Sequence, residues 1–187
     1  MSIDLADRAM SSMSRINFVP YNMANKADID IALPIGYGQT ISQPSTVRKM
    51  LHWLDAKPGD KILDIGSGSG WTTALLSSIT GCDGQVVAVE RIPELLQRGE
   101  DNCRKVGVQN AQFFLAGSQY GYPKFAPYER ILVSASAERL PKEILDQLKI
   151  GGKLVVPVRT DILVITKLSY DRCATEKHQG FAFVPLI

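Results

Sequence analysis

The chain of 187 residues is long enough for one domain with a full core, and 45% hydrophobic against 21% charged residues is the balance of a folded soluble protein rather than a disordered one. Lys and Arg number 21 against 19 Asp and Glu, and a net charge of +2 excludes the basic field that drives nucleic-acid binding. No run of about 18 apolar residues occurs and "MSIDLADRAMSS" lacks the apolar stretch of a signal peptide, so we expect a cytoplasmic monomer with no membrane partner.

In chain order, residues 1 to 43 read as an irregular or helical cap that includes a glycine-rich loop, "GYGQTIS" at 36 to 42. Pro44 then suits the first turn of a helix, where its missing N–H costs nothing. Val47, Met50, Leu51 and Leu54 follow at i, i+3, i+4, i+7, one apolar stripe, with His52 on the outer side. "KPGD" ends that helix, and "KILDI" at 61 to 65 is a short buried strand.

After the glycines of "DIGSGSG", a helix is predicted over 71 to 80, a strand at "QVVAVE" (85 to 90) and a helix from Pro93. Strands follow at "AQFFL" (111 to 115) and "RILVSA" (130 to 135), then a helix from Pro141 that stops at Gly151 and Gly152. Three more strands, "KLVVPV" (153 to 158), "DILVITKL" (161 to 168) and "FAFVPL" (181 to 186), come without intervening helices and should pair antiparallel. The fold class is therefore α/β, doubly wound around a mainly parallel seven-stranded sheet, with antiparallel strands at the C-terminal end and an N-terminal cap. Residues 1–187 read as one domain, 1–43 cap and substrate loop and 44–187 cofactor-binding core.

The chemistry concentrates in two glycine loops. Gly66, Gly68 and Gly70 lie between a strand and a helix, where backbone N–H groups face a ligand. Glu90 ends the next strand, 20 residues beyond Gly70, where a carboxylate accepts from both hydroxyls of a ribose. A plain tight turn is the alternative for the glycines. The Gly-x-Gly-x-Gly spacing needs no pyrophosphate and suits S-adenosylmethionine better than NAD. Cys82, Cys103 and Cys173 are odd in number and show no Cys-x-x-Cys spacing, which suggests reduced thiols. His52 and His178 stand far apart without clustered cysteines or carboxylates, so no metal site is expected.

Beyond these features, "RINFVP", "LPIGYGQTISQP", "KPGDKILDIGSGSG", "VERIPEL", "APYERILVSA", "DQLKIGGKLVVPV" and "FVPL" resemble, in order and spacing, the protein-L-isoaspartate O-methyltransferases. That resemblance implies a Rossmann-like methyltransferase fold and transfer of a methyl group from S-adenosylmethionine to the α-carboxylate of an isoaspartyl residue, leaving S-adenosylhomocysteine and starting repair. The partner would be an isoaspartyl peptide or protein. By resemblance Ser42 and Thr40 are the catalytic residues. Cofactor contacts would fall to Gln39, Ile41, Asp64, Gly66, Ser67, Gly68, Gly70, Glu90, Arg91, Gly117 and Ser118.

The alternative for Ser42 is helix capping ahead of Pro44. The chain departs from the family pattern at Gly117, where the family has an aspartate for the adenine amino group, and at Arg159, where a glycine is usual and a long cation is expected near the peptide path. A different carboxyl or oxygen acceptor, or a non-catalytic relative, are the competing readings.

Overall fold

The structure, a computed structural model, describes residues 4–187. It opens with α1 (Leu5–Ser12), capped by the Asp4 carboxylate, which accepts from the Ala6 N–H at 2.8 Å. Two 3₁₀ turns, Arg15–Phe18 and Tyr21–Lys26, lead to a small hairpin, β1 (Leu33–Gly36) and β2 (Gln39–Ile41). Its two-residue turn, Tyr37 and Gly38, has φ of 56° and 70°, the mirror-image turn that matches the twist of paired strands. The cap expected from the sequence thus contains a sheet element of its own.

The core runs α2 (Pro44–Leu54), β3 (Lys61–Ile65), α3 (Trp71–Thr80), β4 (Gln85–Glu90), α4 (Pro93–Lys105), β5 (Ala111–Leu115), β6 (Tyr128–Val133), α5 (Lys142–Asp146), β7 (Leu148–Val158), β8 (Asp161–Lys167) and β9 (Cys173–Gln179). The seven core strands stand in the order β5-β4-β3-β6-β7-β8-β9; pairs up to β7 are parallel, and β8 and β9 are antiparallel additions. Successive strand residues face opposite sides: Ile62, Val86 and Leu132 pack under α2, α3 and α4, while Leu63, Val87 and Ile131 pack on the side of α5. Both faces are covered, so these strands read as continuous apolar runs. After β3 the chain moves outward to β4 and β5, then returns to the other side of β3 with β6. That reversal makes the carboxyl end of β3 the switch point of the sheet, where open α/β folds bind ligands.

Two expectations are corrected. The helix from Pro141 does not continue to the Gly151–Gly152 pair: α5 ends at Asp146, and β7 begins at Leu148, opposite Tyr128. The Gln147 side chain is drawn away to Tyr120 and Tyr122, and the Lys167 ammonium takes the carbonyls of Leu145 and Leu148 at 3.0 and 2.8 Å. The glycines instead form an irregularity inside the strand, where a Cβ on Gly152 would lie 2.8 Å from the Glu129 carbonyl.

The last strand is also not "FAFVPL". The polar segment Cys173–Gln179 takes that place as an exposed edge, and the apolar residues 181 to 186 cross the carboxyl ends of the strands, tied by reciprocal bonds between Ser136 and residues 184 and 186. An edge strand with most of its side chains in solvent needs no apolar pattern; a segment that covers the sheet end does.

Candidate active site

At the switch point, the glycine loop hangs from its neighbour strand: the N–H groups of Gly66 and Ser67 donate to the Val89 carbonyl at 2.8 and 3.2 Å. Glu90, only 5% exposed, gathers the loop from the other side. Its Oε2 accepts from the Gly68 N–H at 2.9 Å and its Oε1 from the N–H groups of Arg91 and Ile92 at 2.8 and 3.0 Å. A carboxylate offers about four lone-pair sites, so one remains for a ligand hydroxyl.

Asp64 lies beneath this loop. Its Oδ2 accepts from the Thr72 and Thr73 hydroxyls at 2.9 and 2.7 Å, while Oδ1 is buried without a partner. Burial pushes its carboxyl up to about 6, with a smaller push from Glu90 and the two threonines pulling the other way. Gly70 is a packing residue: at φ 92°, a Cβ there would sit 2.6 Å from the Gly99 carbonyl of α4. Nearby Cys103 donates to the Gly70 carbonyl at 3.2 Å, and burial drives its thiol up to about 12, which makes it inert.

A cavity of about 220 Å³ opens over the loop. Of the sequence-predicted residues it is lined by Gln39, Thr40, Gly66, Gly68, Glu90, Arg91, Gly117 and Ser118. Ile41, Ser42 and Ser67 line a small adjoining cleft. Asp64 and Gly70 line neither; the structure places them behind the loop. Space around Gly117 is open: apart from its chain neighbours, no atom of the described residues lies within 4 Å of where its Cβ would be.

Beyond the hairpin lies a second cavity of about 450 Å³, bounded by Ser42, Gln43, Thr46 and Lys49 on one side and residues 179 to 184 on the other. Thr40 and Ser134 line both large cavities and the cleft between them, so the two chambers meet at these side chains. Ser134 was not singled out from the sequence, nor were Ile35 and Val184, which wall the first cavity. Ser134 directly follows β6, and the rule that ligands sit at the carboxyl ends of strands would have found it.

The loop bearing Thr40 and Ser42 is held by Arg15, 4% exposed. Its guanidinium donates to the carbonyls of Ala27, Ile29, Ile31, Ile41 and Ser42, at 2.8 to 3.3 Å. Burial pulls its proton affinity down, opposed by Asp30 and Asp28. The Ser42 hydroxyl makes no hydrogen bond within the described residues and does not cap α2. Gln43 stands at the cap position, and Asp30 takes the Ser45 N–H at 2.8 Å, which lowers the Asp30 carboxyl. The capping alternative for Ser42 is thereby removed.

Arg159 also departs from expectation. It sits in the β7–β8 turn at φ 56°, with its Nε directed to the Glu138 carbonyl at 3.2 Å, and lines none of these cavities. Among the described residues no group of three His, Cys, Asp or Glu is disposed around a metal position, and no helix is long and apolar enough to cross a membrane.

With this geometry in hand, comparison with known proteins is specific. The family profile described as Protein-L-isoaspartate(D-aspartate) O-methyltransferase (PCMT) matches residues 2–187. A protein-L-isoaspartate O-methyltransferase of Methanopyrus kandleri is 42% identical over 184 residues, spanning 96% of this chain and 81% of that protein. A solved protein-L-isoaspartate O-methyltransferase superposes with a TM-score of 0.88 at 26% identity, over 98% of this chain and 61% of the other. A beta-aspartate methyltransferase (PCMT) of Plasmodium falciparum, solved with S-adenosyl-L-homocysteine, gives a TM-score of 0.87 over 100% of this chain and 92% of that one; at 24% identity it speaks for the fold alone.

Proposed function

The chain belongs to the protein-L-isoaspartate(D-aspartate) O-methyltransferase family, and we propose from that premise how its residues divide the work of methylating the α-carboxylate of an isoaspartyl residue. The observation that carries the assignment is the meeting of two chambers at Thr40 and Ser134. One chamber holds the donor and the other the acceptor.

The donor chamber fits S-adenosylmethionine. In the adjoining cleft Ser67 has a buried hydroxyl with no partner among the described residues, and in the chamber itself a Cβ on Gly68 would come within 3.2 Å of Ile35 Cδ1, so the loop is shaped for close approach. Glu90 would hold the ribose, and Gly117 and Ser118 the base. When bound, the cofactor supplies an electrophilic methyl group on a sulfonium.

The rest is done by the acceptor and the chain. A carboxyl with an ordinary pKa of roughly 3 to 4 is ionised at pH 7, so the nucleophile forms without a general base. Thr40 and Ser42 orient the carboxylate through their hydroxyls and do not attack. Ile35, Val184 and Leu186 exclude water from the donor chamber. Positioning of this kind is worth on the order of 7 to 11 kcal/mol in favourable cases. With Arg159 turned towards Glu138, nothing in the acceptor chamber favours a different acceptor.

We read the protein as one domain over 1–187, a cytoplasmic monomer acting on isoaspartyl peptides or proteins. The test uses methyl-labelled S-adenosylmethionine and two peptides that differ only in isoaspartyl or aspartyl linkage, with base-labile label counted as methanol. Label on the isoaspartyl peptide alone is expected; equal label on both, or none with folded protein, overturns the assignment.

A further inference from the structure

The acceptor chamber does not end beside Ser42. Gln43, Thr46 and Lys49 recur at helical spacing along one side of α2, and Trp53 continues the row into a shallow extension shared with Lys177 and His178. From Gln43 to Lys49, before the walls close on each other at Trp53, this wall is about 9 Å long. At about 3.3 Å per residue, an extended peptide would lay roughly three residues along it. The opposite wall is the 178–184 segment, anchored where the His178 ring stacks on Trp53 at 4.0 Å and Phe181 meets Trp53 edge-on.

The charges in this groove are of one sign. Among the described residues no Asp or Glu lines the acceptor chamber or its extension. Lys177 is engaged by Asp161 at 2.8 Å. Lys49 is exposed and forms no ion pair or hydrogen bond among the described residues; its ammonium lies 5.8 Å from the Phe181 ring centre. Asp30 feels Lys49 only weakly and is already occupied by the Ser45 N–H.

Resting on the functional reading above, we propose that the α2 groove is a flanking-residue subsite in which Lys49 recognises a carboxylate side chain on the acceptor, two or three residues from the residue that is methylated. Lys49 stands two helical turns beyond Ser42, and that distance sets the register. The groove makes this chain prefer damaged sites in acidic surroundings.

The test uses isoaspartyl peptides with Glu or Gln placed two or three residues to either side, read both as kcat/KM and as calorimetric affinity. In one register Glu should exceed Gln by about two- to fivefold at low salt, the range of an exposed ion pair, and the advantage should vanish in 1 M salt. Lys49→Glu should reverse the order of that pair. Arg48→Glu, one position along and facing Asp7, should leave it standing. The inference is overturned if every register treats Glu and Gln alike, or if Lys49→Glu leaves the ratio unchanged. Should no peptide be methylated, the functional reading falls, while the calorimetric ratio still decides the role of Lys49.

Discussion

Arg98 of α4 donates from Nη1 to the carbonyl of Ile35 at 2.6 Å, joining the hairpin that carries Gln39 and Thr40 to the helix behind the glycine loop. One side chain therefore ties the acceptor loop to the donor chamber. Arg98→Ala should cost about 1 to 2 kcal/mol of stability, the range for a partly exposed charged bond. Its larger effect should be on KM for the acceptor, with faster proteolysis at Tyr37, and a steady-state series with limited proteolysis checks both. Equal losses in kcat and stability alone would count against the tether.

Gly70 and Gly68 should respond differently to a methyl group. At Gly70 the left-handed backbone costs about 1 to 2 kcal/mol, and the collision with Gly99 adds roughly 1 to 3 kcal/mol. Gly70→Ala should therefore lose most in urea unfolding. At Gly68 the new methyl meets only the flexible end of Ile35, so the loss should be nearer the backbone cost alone. Its main effect should be weaker S-adenosylhomocysteine binding, read by calorimetry.

Asp64 predicts a pH signature. Its folded value of about 6 lies above the ordinary 3.8, so the folded protein keeps a proton that the unfolded chain has released. That contribution to stability is complete below about pH 4 and is lost as pH rises through 6. Two units correspond to about 3 kcal/mol. Asp64→Asn should gain on the parent by up to that amount between pH 4 and 7, and urea denaturation at the two pH values measures the difference. A constant difference would contradict the buried, proton-holding carboxyl.

Glu90→Ala should weaken the cofactor and the fold together. The sequence points to a ribose acceptor alone, but the structure shows this carboxylate collecting three backbone N–H groups from two loops. We expect a stability loss of about 2 kcal/mol besides a weaker dissociation constant for S-adenosylhomocysteine. Lost affinity with an unchanged melting temperature would show the scaffolding role to be minor.

What could be read in advance follows physical lines. The stripe Val47, Met50, Leu51, Leu54 and the apolar runs of β3, β4 and β6 are buried on the faces that their periods specify. Residues whose identity answers to their neighbours in space were harder. Gly70 looks like its two companions in the loop, yet it makes room for α4, a contact no local pattern encodes. The hairpin at 33 to 41 has too few apolar alternations to announce strands, and β9 faces solvent, which removes the signal altogether. Ser134 belongs to the site because β6 ends beside β3, a fact of sheet order rather than of composition.

The Arg15 cluster has a thermal meaning. The five carbonyls it gathers come from the first 42 residues, and the cap they hold together is seated in the core: Ala9, Phe18, Leu33 and Ile35 are buried in one apolar cluster with residues of α2 and α3, and the Trp71 indole N–H donates to the Met13 carbonyl at 3.1 Å. A segment with so much buried apolar contact belongs to the high end of local opening free energies. On heating, Ser42 and Thr40 keep their places until the sheet itself gives way. The protein should therefore lose its activity and its structure at one temperature.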